Sequence, residues 1–299
     1  MTNIISKAKD ICSLLRPWQW MKNIFIFLPL FFDGRIFCAD ELLSVFLATL
    51  SFCMASSAVY CFNDIFDTQM DSVHPVKCMR PIPSGRISKT LASMISIICL
   101  LTSLTIPMSV DNSNSIKLMI IIGIYLILNL LYCIRLKHIV IIDVFIIAIG
   151  FVLRLVIGGI SANVHLTHWI VMMTFLLALF LAFAKRRDDV AIYEETGMSM
   201  RDNIYRYNLP FMNQTIGVIA SITMVCYIMY TVSQEVVTRF GTPYLFTTSI
   251  FVLAGIIRYL QLAIVDVKSG SPTKVLLKDH FIHACIIGWV TTFYFLIYK

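Results

Sequence analysis

Long apolar runs alternate with short polar segments along the whole chain. Nine runs are apolar enough to cross a bilayer: 22–37, 41–62, 88–109, 116–135, 138–160, 167–184, 211–233, 244–264 and 280–298. A span needs about 20 mostly apolar residues to cross about 30 Å of hydrocarbon. The run 22–37 is the shortest and carries Pro29. Backbone polar groups in lipid must be satisfied within the chain, so each run is expected to be helical. The alternating segments of about ten residues that build a membrane barrel are not seen. The expected fold class is therefore all-α, a polytopic bundle of about nine transmembrane helices. At the N-terminus, Ile4, Ile5, Ala8, Ile11 and Leu15 recur at helical spacing. That pattern predicts an interfacial amphipathic helix over 1–21 and lacks the shape of a signal peptide.

Composition agrees with this reading. The 299 residues are 59% hydrophobic and 14% charged, against roughly 45–50% and 25% in soluble domains. The charge is one-sided. With the N-terminus in the cytoplasm, the inner segments hold eighteen cations. These are Lys7, Lys9, Arg16 and Lys22, then Lys77, Arg80, Arg86 and Lys89, then Arg135 and Lys137. Lys185, Arg186, Arg187, Arg201 and Arg206 follow, then Lys268, Lys274 and Lys278. The outer segments hold four: Arg35, Lys117, Arg239 and Lys299. This asymmetry fixes the expected orientation. A net charge of +7 then needs no nucleic acid to explain it, since the lipid bilayer or an anionic substrate suffices. The nine cysteines are scattered through apolar runs without a C-x-x-C pair. They read as small buried hydrophobes, not disulfides or metal ligands.

No linker divides the chain, so residues 1–299 are expected to form a single integral membrane domain. The longer polar segments, 63–87, 185–210 and 265–279, follow the second, sixth and eighth spans. All three fall on the cytoplasmic side, which points to a polar site built from helix ends on one face, with 63–87 and 185–210 as its loops. "AKRRDDVAIYEE" has no breaker before Gly197 and is expected to continue the sixth helix past the membrane surface.

Acids and bases crowd together in only one stretch, "CFNDIFDTQMDSVHPVKCMRPIPSGRIS", residues 61–88. On one helix, Asp64, Asp67 and Asp71 share a face, and Asn63, Asp67 and Asp71 share a nearly overlapping one. Like charges so placed repel. A hard divalent cation relieves that repulsion, and oxygen donors suit magnesium bridging to substrate phosphates. Mg2+ is thus expected on Asn63, Asp67 and Asp71, with Asp64, Asp67 and Asp71 as the catalytic acids. The plainer alternative is a solvated helix end. Pro75, Pro81 and Pro83 then stiffen a loop that presents Lys77 and Arg80 to phosphate oxygens. The positive-inside rule alone would also put cations there.

"NDIFDTQMD" resembles the NDxxDxxxD signature of the UbiA superfamily of intramembrane prenyltransferases, and "RPIPSGRIS" and nine helices are similar to it too. Members with aromatic acceptors carry a second motif of DxxxD type after the sixth span. Here Ile192 and Tyr193 stand four residues after Asp188 and Asp189, and Lys185, Arg186 and Arg187 come before them. In this the chain resembles the decaprenyl-phosphate (polyprenyl-phosphate) phosphoribosyltransferase branch. So do "LRPWQWMKNIFIFLPLFF", "YCIRLKHIVIIDVFIIAIGFVLRLVIGG", "AKRRDD" and "GSPTKVLLKDHF". The resemblance implies Lys22, Asn23, Tyr132, Lys137, Asp143, Arg154, Lys185 and Arg186 near the substrate, and Asp189 as the acid that follows the basic pair. Cys78 stands where the branch more often has a base. The partners implied are phosphoribosyl diphosphate and a polyprenyl phosphate at a bacterial inner membrane, and a homo-oligomer is compatible with the sequence.

Arg154 is the clearest charge inside a span, which marks a functional site by default; structural pairing is the alternative. Asp143, Ile147, Gly150, Arg154 and Gly158 form one helical stripe whose glycines permit close approach. The pairs His165/His168 and His280/His283 lack the companions of a closed zinc shell.

Phosphoribosyl transfer and aromatic prenylation both begin with loss of diphosphate from a carbon that becomes cation-like. They differ at the acceptor. A lipid phosphate is already anionic and needs cations to hold it, whereas an aromatic ring must lose a proton. The bases at 185–187 favour the phosphate. A membrane transporter or a non-catalytic scaffold is the remaining alternative, and a transporter would be expected to carry midplane charges or broken helices in paired halves.

Overall fold

The computed structural model describes residues 2–73, 77–109, 112–197, 204–267 and 272–297. Pro75, Arg201, Lys268 and Lys299 lie outside them. Among the described residues the protein is built of helices and short connections, with no strand. Eight helices are long and apolar enough to cross a membrane, and these coincide with the second to ninth expected runs.

The run 22–37 differs. It forms part of a 3-10 segment, Pro17–Phe27, followed by a five-residue α-helix, Leu28–Phe32. Pro17 and Pro29 each sit at the start of one of these pieces, where a missing N–H costs least. Two such starts twelve residues apart leave no room for one long α-helix. The N-terminal pattern is helical as expected, over Thr2–Leu15.

The chain divides into two compact units: residues 1–137 with 153–166, and residues 138–152 with 167–299. In the first unit, α1 (Thr2–Leu15) and α2 (Leu28–Phe32) are followed by α3 (Ala39–Phe66), α4 (Thr68–Ser72), α5 (Lys89–Thr105) and α6 (Asn112–Ile134). Helix α3 packs on α5, α6 and the 3-10 segment. Its buried face, including Val45, Ala48, Phe52 and Ala55, meets Ile26, Leu30, Leu118 and Ile122. Helix α7 (Ile142–Ser161) gives its second half to this unit and its first half to the other. At Gly158 an added Cβ would lie 2.0 Å from the Ile26 carbonyl oxygen. The expected close approach is therefore a helix meeting the 3-10 backbone, and only glycine permits it.

The second unit holds α8 (His168–Thr196), α9 (Leu209–Val232), α10 (Gln234–Phe240), α11 (Ser249–Ile264), α12 (Pro272–Lys278) and α13 (His280–Ile297). Thr167 caps α8 by accepting the Ile170 amide, and Asn208 caps α9 through Phe211, each satisfying an orphan N–H. Helix α8 runs unbroken through "AKRRDDVAIYEE" and ends at Gly197, left-handed at φ 68°. Its apolar face packs with α9 and α11 around Phe180, Phe183, Met212, Ile216 and Tyr259. All nine cysteines are free; six are buried, while Cys12 and Cys38 are exposed.

Candidate functional site

The acid signature is spread over two helices. Helix α3 ends at Phe66, Asp67 follows at φ −84° and ψ 5°, and α4 begins at Thr68. Backbone bonds from Asp67 N to Asn63 O (2.9 Å) and Asp71 N to Asp67 O (2.8 Å) carry the turn across the break. The four residues have different partners. Asp64 and Asp71, seven residues apart, converge on Arg80: its Nη1 donates to Asp64 Oδ1 at 3.1 Å and to Asp71 Oδ2 at 2.5 Å. Arg16 Nη2 donates to the same Asp64 oxygen at 2.5 Å, and Lys77 Nζ lies 3.7 Å from Asp71 Oδ1. Asp67 turns to another partner, Lys137, whose Nζ is 2.5 Å from its Oδ1. Asn63 Oδ1 accepts from Cys133 Sγ at 3.2 Å.

Burial explains the crowd of cations. Asp64 is 1% exposed and Asp71 2%. A carboxylate withdrawn from water is costly unless paired and hydrogen-bonded. Four bases therefore gather on three acids. Arg16 was not singled out by the sequence reading. It adopts a left-handed backbone (φ 53°) between α1 and Pro17, and its guanidinium lies 5.2 Å from the Tyr60 ring centre. The chain separation of 48 residues from Asp64 left no local signal.

A second cluster in the same unit surrounds Arg154, which is 6% exposed. Its Nε donates to Asn23 Oδ1 at 2.8 Å. Its guanidinium lies over Phe52 (4.9 Å) and Tyr125 (5.3 Å). Asn23 Nδ2 in turn donates to Cys53 Sγ at 3.1 Å. An amide and two ring faces thus hold this cation, a favourable arrangement for a guanidinium out of water. Lys22, beside Asn23, and Tyr132, on α6, are half-buried.

In the second unit, Asp143 on the first turn of α7 meets Arg186 of α8. Arg186 Nε donates to Asp143 Oδ2 at 2.7 Å, and Nη1 donates to Asp189 Oδ2 at 3.2 Å. Arg186 and Asp143 are 1% and 0% exposed. Lys185 is half-buried. Arg187 points elsewhere: Nε donates to Asn213 Oδ1 at 3.1 Å and Nη2 to Ile264 O at 3.2 Å, tying α8 to α9 and α11. Arg258, near the end of α11, donates from Nε and Nη2 to Asp279 Oδ2. That bond, with the Ile282 amide on Oδ1, holds the Asp279 carboxyl below the usual carboxylate range.

A family model described as the UbiA prenyltransferase family matches residues 34–284. The chain belongs to that family. Among its relatives, the decaprenyl-phosphate phosphoribosyltransferase of Corynebacterium glutamicum is 30% identical over 288 residues, covering 95% of this chain and 85% of that one. The enzyme of the same name from Mycolicibacterium smegmatis is 29% identical over 304 residues, covering 97% and 92%. The fold is that of solved UbiA proteins. A UbiA homologue from Archaeoglobus fulgidus bound to GPP and Mg2+ covers 97% of this chain and all of its own, with TM-score 0.67 and 17% identity. The same homologue has also been solved with Cd2+, at TM-score 0.65.

The signature acids suit a divalent cation by their donor chemistry. Among the described residues no three His, Cys, Asp or Glu side chains form a ready metal shell. Two of the signature carboxylates are paired with the Arg80 guanidinium, so a metal ion here would share them with that base. Carboxylate oxygens are the donor type that magnesium takes.

Proposed function

We propose that this UbiA-family protein transfers 5-phosphoribose from phosphoribosyl diphosphate to a polyprenyl phosphate and releases diphosphate. The observation that carries the reading is the Arg186 cluster. Where an aromatic-acceptor enzyme would offer a second pair of carboxylates, α8 offers Lys185 beside a fully buried Arg186, braced by Asp143 and Asp189. A half-buried ammonium on a helix turn fixed by the buried Arg186 suits a phosphate group. The names of the relatives at 26–30% identity point the same way.

The chemistry balances without a general base. The bond from the anomeric carbon to the diphosphate oxygen breaks, and a bond from the same carbon to a lipid phosphate oxygen forms with inversion. The acceptor is already an anion, so no proton has to leave. Asp64 and Asp71, with Asn63 and Asp67 beside them, would hold Mg2+, which when bound neutralises charge on the diphosphate. Arg80 and Lys77 neutralise the charge of the same acids and are placed to donate to phosphate oxygens. Lys22, Asn23, Tyr132, Lys137 and Arg154 contribute further donors for the substrates. Lys185, half-buried, is placed to hold one phosphate-bearing substrate, and the sealed Arg186 braces that turn of α8 through Asp143 and Asp189. The reaction takes place at the cytoplasmic face of a bacterial inner membrane, where the positive-inside count puts these segments.

Lys185→Gln tests the assignment, because Lys185 is only half-buried and its loss leaves Arg186 paired. One charge-assisted hydrogen bond is worth about 1.5–3 kcal/mol. Phosphoribosyl-transfer kcat/KM per folded enzyme should therefore fall about tenfold to a hundredfold. Unchanged kcat/KM, with normal membrane insertion, would move the preference to aromatic prenylation.

A further inference from the structure

The start of α7 contains an arrangement that sequence alone would not suggest. Ile141 immediately precedes the helix and adopts φ 72°, in the left-handed region. A β-branched residue is a marked outlier there. Its carbonyl accepts the first helical amides, from Val144 (3.1 Å) and Phe145 (3.1 Å), so it occupies the capping position of α7. Isoleucine has no side-chain oxygen with which to cap. Instead, its own amide N–H is accepted by the Tyr207 hydroxyl at 2.8 Å, 66 residues away in sequence. Tyr207 is 6% exposed and stacks on Phe211 with ring centres 6.2 Å apart. It is therefore a fixed point. Ile141 is 43% exposed, so its side chain does little to hold the turn.

Asp143 lies two residues further on, in the first turn of α7, and it alone of that turn reaches into the buried ion pair with Arg186. Asp143 N also bonds to Ile139 O at 3.2 Å, closing the same turn. Strained backbone persists where the surroundings enforce it, and such places cluster at functional sites. We propose that Tyr207 is a positioning residue. Its hydroxyl holds Ile141 left-handed, and this sets the register of α7 that delivers Asp143 to Arg186. The inference deepens the reading under Proposed function and rests on it for the role of Arg186. The hydroxyl touches no reacting atom; it acts through the Ile141 amide, then Asp143, then the buried Arg186 that sets the turn of α8 carrying Lys185.

The test uses three variants of the full-length protein: Tyr207→Phe, Ile141→Gly and the double variant. Tyr207→Phe removes the acceptor and keeps the ring stack. Glycine accepts φ 72° without penalty, so Ile141→Gly removes the need for the hydroxyl. Hydrogen exchange at residues 141–145 and steady-state kinetics are measured on whichever reaction the wild type catalyses, phosphoribosyl transfer or aromatic prenylation. For Tyr207→Phe we expect exchange about tenfold faster at the Ile141 amide. We expect KM for one phosphate-bearing substrate to rise about fivefold or more with a smaller change in kcat. The double variant should recover most of the lost KM.

Unchanged exchange in Tyr207→Phe would overturn the proposal, and so would faster exchange with unchanged KM. A double variant as impaired as Tyr207→Phe would also overturn it, since relief of strain would then have no bearing on the site. A wild type that prenylates an aromatic acid and transfers no phosphoribose would overturn the proposed function alone. The variants would still decide the role of Tyr207 in that reaction.

Discussion

Arg186 and Asp143 form an ion pair at 2.7 Å with both side chains sealed from solvent, at 1% and 0% exposure. Such a pair gains little over apolar residues of equal size, but breaking it strands a buried charge. Asp143→Asn should therefore cost about 3–5 kcal/mol of stability. The double variant Asp143→Leu/Arg186→Met should recover most of that loss and remain inactive. Thermal unfolding in detergent, paired with turnover, separates the two effects. A single variant as stable as wild type would show that the pair is not buried in the working protein.

The signature acids differ in what they touch, and their variants should differ accordingly. Asp71→Asn removes a carboxylate that Arg80 shares with Asp64, so turnover should fall by at least about a hundredfold with insertion intact. Asp67→Asn should be equally inactive if Asp67 serves the metal. Asp67 is more exposed than Asp71 and is bonded to Lys137, so its stability loss should be the smaller one. Turnover at saturating magnesium checks this, and near-normal rates for both variants would remove the acids from the metal site.

Asp279 makes a prediction in pH. Its folded-state pKa lies below the ordinary 3.8, chiefly through the hydrogen bond from Arg258. A depressed carboxylate contributes stability that is fully present above the unfolded value and is lost as pH falls through the folded one. The melting temperatures of wild type and Asp279→Asn should therefore differ at pH 7. The difference should shrink once pH drops below about 4. Asparagine can still accept the Ile282 amide but sets an NH2 group against Arg258, so the change removes the ion pair and its hydrogen bonds together. A difference that stays constant between pH 7 and pH 3 would argue against the Arg258–Asp279 pair.

Two glycines should respond with opposite sign to alanine. At Gly158 the new Cβ would meet the Ile26 carbonyl oxygen at 2.0 Å, and overpacking of that kind costs typically about 1–3 kcal/mol. Gly217 in α9 has nothing within 4 Å of an added Cβ, so Gly217→Ala should stabilise by up to about 1 kcal/mol. Melting temperatures of the two variants measure both.

Much of this was legible in the sequence because it is written locally. The apolar runs gave eight of the helices, and the absence of a breaker before Gly197 gave the length of α8. The stripe ending at Gly158 gave the close approach. Expectations failed where geometry depends on partners far along the chain. Proline spacing turned 22–37 into a 3-10 segment and a short helix. Asp64 and Asp71 share Arg80 while Asp67 pairs with Lys137, and each of these bases lies outside the helix that carries the acids. Arg16 and Tyr207 reach their partners across 48 and 66 residues, and no periodicity encodes such pairings. The family resemblance put Asn23, Asp143 and Arg154 near the substrate one by one; that Asn23 pairs with Arg154, and Asp143 with Arg186, is seen only in the structure.

The identity of the transferred group is the central claim, and one measurement addresses it directly. Purified protein is incubated with magnesium, ribose-labelled phosphoribosyl diphosphate and polyprenyl phosphate, and in parallel with a prenyl diphosphate and an aromatic acid. Label is expected to enter the organic phase as a phosphoribosyl lipid, mole for mole with released diphosphate, with the aromatic acid unchanged. A prenylated aromatic acid with no labelled lipid would contradict it.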